Sequence, residues 1–232
     1  MTKIISLNIR VWTRDTKRQS EHWWVAHYKA IHDYIKAEDP DVICLQEVWW
    51  PAKYVLKLGK LGYKKTGWGF SHPIYVRKSA KVSKRAVSIF STMAIVDGVQ
   101  YFSVHCRWEE ELFEKAMNWI VKQYFRYIET TDRRAIACGD FNTSDAEKIT
   151  KATTMTHART ALQLNAEDTF ANYKRPLESH GEIDHFFCGW GVGLLDYEVG
   201  PDNLSDHKPI KLGYSTFASD KIPYPTSGEH CP

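Results

Sequence analysis

Apolar residues along the chain fall into two rhythms. Short, nearly continuous apolar runs alternate with stretches in which apolar positions recur every three or four residues. Lys3–Ile9 reads as a strand that ends in the polar residues Asn8 and Arg10. Ser20 is placed to cap a helix carrying Trp24, Tyr28, Ile31 and Ile35 on one face. Pro40 closes that connection, and Asp41–Gln46 reads as a buried strand. A second helix is expected from about Pro51 to Leu61, stopped by Gly62. Thr92–Val96 and Val99–Cys106 flank Asp97-Gly98, a strong hairpin signal. A long helix then carries Phe113, Met117, Ile120, Tyr124 and Tyr127 on one face. Ala135–Cys138, Ile183–Cys188, Leu194–Val199 and Pro209–Leu212 read as further strands. Alternating strands and helices, with at least one hairpin, predict an α/β fold with mixed sheets and helices outside.

Length changes this picture little: 232 residues suit one domain. A single catalytic domain is expected over residues 1–214. Residues 215–232, rich in proline toward their end, are expected to form a loose tail. No apolar run reaches membrane-spanning length, and the first ten residues lack the apolar stretch of a signal peptide. Cys44, Cys106, Cys138 and Cys188 each lie in or beside an apolar strand, where a free thiol packs as a small hydrophobe. These features lead us to expect a cytoplasmic protein, with no membrane association and no obligate protein partner.

Charge adds a contrast. The net charge is +3, yet Val48–Val96 holds ten lysines and arginines and no Asp or Glu, leaving −7 for the rest. Trp49, Trp50, Tyr54, Tyr63, Trp68, Phe70 and Tyr75 interleave with those bases. Such a segment suits a polyanion with stackable bases, and Lys64, Lys65 and Arg77 are the candidate substrate-binding residues. A solvated helix face and strand ends would give the same composition.

The candidate chemistry sits where apolar strands end. Asn8, Glu47, His105, Asp140 with Asn142, Asp184, and Asp206 with His207 each terminate or adjoin such a run. Strand termini are rigid places from which distant segments converge on a crevice. Carboxylates, amides and imidazoles without a Ser or Cys nucleophile motif point to a hard cation acting on an oxygen-rich substrate. That is metal-assisted phosphoryl transfer to water.

Ser6-Leu7-Asn8, Leu45-Gln46-Glu47-Val48, Val104-His105, Gly139-Asp140-Phe141-Asn142, Ile183-Asp184 and Ser205-Asp206-His207 together resemble the ordered motifs of the endonuclease/exonuclease/phosphatase superfamily. The resemblance covers about residues 3–212. It implies a deoxyribonuclease-I-like four-layer α/β sandwich, with two mixed β-sheets packed face to face and helices outside. It also implies that Glu47, with Asp206 and Asn8, holds Mg²⁺, for which Mn²⁺ can substitute. Asp140 would orient or deprotonate the attacking water, and Asn142 would direct that water or the phosphate. His207 would donate to a non-bridging phosphate oxygen, Asp184 would fix the His207 tautomer, and His105 would contact the phosphate or assist the leaving group. His185 departs from the aromatic or Arg usual beside Asp184. Strand alternation points it away from the site, so it reads as structural, as do His22, His27, His32 and His72.

The expected activity is Mg-dependent hydrolysis of phosphodiester bonds, as an endonuclease or exonuclease on nucleic acid, with DNA favoured. The alternatives are a phosphatase or phosphodiesterase for a small phosphorylated metabolite or lipid headgroup, and a non-catalytic nucleic-acid-binding relative.

Overall fold

A computed structural model describes residues 1–10, 23–48, 52–66, 71–171 and 180–217. The first half of the chain runs β1 (Thr2–Asn8), α1 (Trp23–Glu38), β2 (Val42–Gln46), α2 (Ala52–Leu56), β3 (Tyr63–Lys65), β4 (Ile74–Arg77), β5 (Val82–Val87), β6 (Ser91–Val96) and β7 (Val99–His105). Then come α3 (Glu110–Arg126), β8 (Ala135–Asp140), α4 (Ala146–Thr153), β9 (Thr156–His157) and α5 (Ala158–Ala161). The short β10 (Phe170–Ala171) and β11 (His180–Gly181) precede β12 (Asp184–Cys188), β13 (Val192–Val199) and β14 (Ile210–Thr216).

Two six-stranded mixed sheets form the middle of the molecule, in the orders β13-β14-β1-β2-β4-β3 and β5-β6-β7-β8-β12-β9. Each contains one parallel pair, β1 with β2 and β7 with β8. These pairs face each other across the sandwich. The fold is therefore the expected four-layer α/β sandwich. The apolar runs are nearly continuous because both faces of each sheet are covered. On β2, Val42 and Cys44 point between the sheets, while Ile43 and Leu45 point to Tyr28, Ile31 and Ile35 of α1. On β12, Phe186 and Cys188 point inward, and Phe187 packs with Phe113, Met117, Ile120 and Tyr124 of α3.

Polar contacts also join the sheets. Gln46 Nε2 donates to Ser6 Oγ at 3.2 Å and to Ser103 Oγ at 3.1 Å, linking β1, β2 and β7 just beneath the strand ends. The Tyr101 and Tyr214 hydroxyls bond to each other toward the opposite end.

Most elements expected from periodicity are present, with shifted ends. The Asp97-Gly98 hairpin is there, both residues in the left-handed region at φ 48° and 78°, as a tight turn between twisted strands requires. The second helix is only Ala52–Leu56, followed by a 3₁₀ turn, Leu58–Leu61, that Gly62 ends at φ 90°. Ser20 and Pro51 lie outside the described residues. β14 runs through Thr216, so the strand includes the first two residues of the expected tail. Residues 218–232 lie outside the described residues. Among the described residues, no helix is long and apolar enough to cross a membrane.

Candidate active site

Because β1, β2, β7 and β8 run in two parallel pairs, their carboxyl ends share one edge of the sandwich. Asn8 pairs with Gln46 in one sheet and His105 with Asp140 in the other. β12 starts on that edge, with Asp184 paired to Asp140. The crevice above it measures roughly 680 Å³ and is lined by Glu47, His105, Asp140, Asn142 and His207, among others.

Local backbone aims these groups. Glu47 and Asn142 sit in the left-handed region at φ 53° and 52°, strain that persists only where packing fixes it. Gly139 has φ 142°, and a Cβ there would stand 2.0 Å from the Val104 carbonyl oxygen. The β7 and β8 backbones approach too closely at that point for any side chain. Asp140 is then held at both oxygens: Oδ1 accepts the Asn142 backbone N–H at 2.8 Å, and Oδ2 accepts Asn8 Nδ2 at 3.0 Å. Asn142 Nδ2 donates to the Cys106 carbonyl at 2.8 Å.

Asn8 turns its amide nitrogen into the site. Its Oδ1 accepts the Arg10 backbone N–H at 3.1 Å, so the amide nitrogen faces Glu47 Oε1 and Asp140 Oδ2, each at 3.0 Å. The amide thus ties two carboxylates together. Glu47, His105 and Asp140 do converge, with His105 Nε2 at 3.6 Å from Glu47 Oε1 and 3.7 Å from Asp140 Oδ2. Their ligand atoms lie within 4.8 Å of one another. Asp206 stands behind this group, with Oδ2 3.9 Å from Arg10 Nε and Oδ1 accepting the Ser205 hydroxyl.

His207 Nδ1 donates to Asp184 Oδ2 at 2.9 Å, which leaves Nε2 facing Asp140 Oδ2 at 3.7 Å. The Thr169 hydroxyl accepts the backbone N–H groups of Ile183 and Asp184 and so fixes the backbone where β12 begins. Phe170 packs its ring 4.9 Å from the imidazole. Burial alone would lower the His207 pKa. The Asp184 and Asp140 charges outweigh it and raise the value to about 10. Burial pushes Asp140 up to about 7, opposed by His207 and reinforced by Asp184. Burial also lowers His105, against the pull of Glu47, and raises Asp206, against His207 and Arg10.

The expected substrate-binding bases are elsewhere. Lys64 Nζ donates to the carbonyls of Lys78 and Ala80. Arg77 pairs with Asp39 at 2.7 Å and covers the Tyr63 ring. Arg77 lines a different cavity, with Thr2 and Asp41, where β1 and β2 begin. Lys65 lies on edge strand β3 beside Tyr75, outside the crevice lining. Among the described residues, none of the bases of Val48–Val96 lines the crevice. Lys84 and Arg85 instead sit on the exposed edge strand β5, where charge blocks edge-to-edge pairing. Trp49, Trp50, Trp68 and Phe70 lie outside the described residues.

The crevice rim holds residues that the sequence reading did not single out as functional: Arg10, Arg107, Ile89, Trp108 and Phe170. Trp108 is 76% exposed and Ile89 79%, so both present apolar surface at the mouth. A basic–aromatic pair, Arg107-Trp108, directly after the strand that ends in His105, was the available signal. Two histidines read from the sequence as structural lie outside the crevice lining. His32 Nδ1 donates to the Leu56 carbonyl, and His72 is buried, its pKa lowered by burial to about 4. His22 lies outside the described residues.

With this fold and this constellation, the chain belongs to the endonuclease/exonuclease/phosphatase family, whose sequence model matches residues 15–207. Family members are phosphoester hydrolases, generally dependent on a divalent metal. Among curated proteins, no sequence matches the chain. Among solved structures it is similar to an endonuclease/exonuclease/phosphatase from Bacteroides vulgatus, with TM-score 0.76 and 19% identity over 93% of this chain and 99% of that one. A mannosyl-6-phosphatase from Bacteroides thetaiotaomicron gives 0.73 and 17%, covering 93% and 100%. TDP2 from D. rerio, complexed with a single-stranded DNA product, gives 0.68 and 18%, covering 93% and 99%.

Proposed function

We propose that the protein is a divalent-metal-dependent phosphodiesterase acting on nucleic acid, with DNA the favoured substrate. The observation that carries the hydrolase reading is the convergence of Glu47, His105, Asp140 and the Asp184–His207 pair, with Asn8 bridging, on one crevice. The donor set fits Mg²⁺ or Mn²⁺. Glu47 and Asp140 crowd one small space with Asp206 behind, and burial raises the proton affinity of the last two. Glu47 would hold the ion, with Asp206 nearby. A bound dication would neutralise charge on a non-bridging phosphate oxygen and ease attack of water at phosphorus.

The chain's own groups supply the rest. Asp140, oriented by the Asn142 N–H and by Asn8, accepts the proton of the attacking water as the P–O bond to the leaving group breaks. His207, protonated and locked by Asp184, donates to a non-bridging oxygen as charge builds there. His105 faces the same space and contacts the phosphate. Arg10 and Arg107 flank neighbouring phosphates, and Trp108 offers a ring on which a base can stack.

The test is incubation with Mg²⁺ of single-stranded oligonucleotide, supercoiled plasmid and a panel of phosphomonoesters, with Glu47→Gln as the inactive control. Cleavage of the oligonucleotide, abolished by chelator and by Glu47→Gln, is expected. Turnover of the phosphomonoesters alone would move the assignment to a small-molecule phosphatase, the reading favoured by the scarcity of cations in the crevice. Full activity in chelator would overturn the metal-dependent mechanism.

A further inference from the structure

Behind the active-site wall, away from the crevice, lies a second convergence of ligand-type atoms that no catalytic step uses. His157 at the end of β9, Glu182, and His185 on β12 direct Nε2, Oε1 and Nδ1 at one buried point. His157 is 7% exposed and His185 fully buried. We propose that these three side chains form a binding site for a transition-metal dication of the Zn²⁺ class, distinct from the catalytic ion.

The separations carry the proposal. His157 Nε2 and His185 Nδ1 are 3.2 Å apart, and Glu182 Oε1 lies 4.0 Å and 3.9 Å from them. A point equidistant from three atoms so spaced is about 2.2 Å from each, close to the roughly 2.0–2.2 Å of Zn–N and Zn–O bonds. The two longer separations are too great for hydrogen bonds, so the carboxylate oxygen faces both rings without bonding either. Arg159 Nε pairs with Oε1 at 2.6 Å, and this ion pair holds the carboxylate beside the two rings.

The outer ring atoms are held as metal-bound imidazoles usually are. His185 Nε2 donates to the Thr143 carbonyl at 2.8 Å, and His157 Nδ1 sits 2.8 Å from the Thr160 hydroxyl. Two imidazoles and one carboxylate favour Zn²⁺ over Mg²⁺ or Ca²⁺. The nearby Arg159 charge opposes a dication, so moderate affinity is expected. Without metal, the same atoms settle into a neutral relay. The Thr160 hydroxyl then donates to His157, the His157 Nε2–H to His185, and the His185 Nε2–H to Thr143, while Oε1 stays paired with Arg159. An ion here would clamp β9 to β12, which begins with Asp184. Through Thr143 it would also brace the loop that carries Asn142.

The test uses the full chain, stripped with chelator and titrated with Co²⁺ and Zn²⁺ in millimolar Mg²⁺. Wild type and Glu47→Gln should each retain one equivalent of Zn²⁺ through gel filtration. Each should also give the intense visible absorption of low-coordinate Co²⁺. Glu182→Gln and His157→Ala should lose that equivalent, and Thr160→Val should weaken it about tenfold. If the ligand variants do not fold, the wild-type Co²⁺ spectrum and the Thr160→Val affinity still decide. No retained Zn²⁺ in wild type, or an equivalent lost with Glu47 and kept without His157, would overturn the proposal.

Discussion

Asp140 and His207 share one buried space, and each shifts the proton affinity of the other. In the metal-free protein Asp140 binds its proton more tightly folded (about 7) than unfolded (3.8). Its contribution to stability is therefore full below pH 4 and lost as pH rises to 7. His207, raised from 6.5 to about 10, contributes stability that is complete below pH 6.5 and lost as pH rises toward 10. Melting in chelator should therefore show Tm falling between pH 5 and 9. Asp140→Asn should flatten the lower half of that decline and His207→Gln the upper half. A Tm that climbs to a maximum near pH 9 would contradict the charge assignment. In the proposed mechanism Asp184 would act through His207 rather than on substrate, and Asp184→Asn tests this. Removing the carboxylate should lower the His207 pKa, moving the alkaline limb of the kcat/KM profile to lower pH. It should also cut kcat by about 10²-fold or more. Loss of rate with an unmoved alkaline limb would mean that Asp184 merely packs.

Secondary-structure elements deliver these residues to one edge, and the tolerance is small. The parallel β7–β8 pair brings Val104 against Gly139, where a Cβ would meet the carbonyl oxygen at 2.0 Å. Gly139→Ala should therefore destabilise by about 3 kcal/mol or more, because a backbone clash cannot be relieved by a rotamer change. Urea denaturation followed by tryptophan fluorescence measures it; a loss under 1 kcal/mol would show that the strands separate cheaply. The same contact explains why glycine precedes Asp140. Beneath the site, the bonds from Gln46 to Ser6 and Ser103 hold the two sheets in fixed relation. Each parallel pair belongs to a different sheet, so this link governs how Asn8 and Glu47 meet His105 and Asp140.

At the scale of the whole molecule, the charge lies away from the crevice. Of the bases of Val48–Val96, Arg77 lines the cavity at the opposite end and Lys84 and Arg85 lie on the edge strand β5, while Arg10 and Arg107 line the crevice. Binding of a single-stranded oligonucleotide to the Glu47→Gln protein should weaken with salt by about 0.7 log units per decade for each phosphate contacted. Arg10→Ala and Arg107→Ala should each flatten that slope, while Lys64→Ala and Arg77→Ala leave it unchanged. Trp108→Ala should cost about 1–3 kcal/mol of oligonucleotide affinity through lost base stacking and leave turnover of a small phosphomonoester unaltered. An effect of Lys64→Ala equal to that of Arg107→Ala would place the substrate path along the other face.

The four-layer sandwich was implied by the resemblance of the ordered motifs. The apolar rhythm was enough to determine an α/β fold with mixed sheets, the hairpin at Asp97-Gly98 and the strand ends carrying Glu47, His105, Asp140, Asp184 and His207. Each of these depends on local pattern: burial of both sheet faces, a turn needing left-handed residues, polar groups where an apolar run stops. What tertiary structure alone decided is direction. Asn8 is local in sequence, yet whether it offers oxygen or nitrogen to the site depends on the Arg10 N–H on one side and two carboxylates on the other. Lys64 and Arg77 had the right charge, but strand polarity carried them away from the crevice. His185 did point away from Asp184, as alternation requires. Its meeting with His157 and Glu182 arises because β9 pairs with β12 across a separation of 28 residues. Periodicity specifies which face a side chain occupies; only the packing of distant segments specifies what waits there.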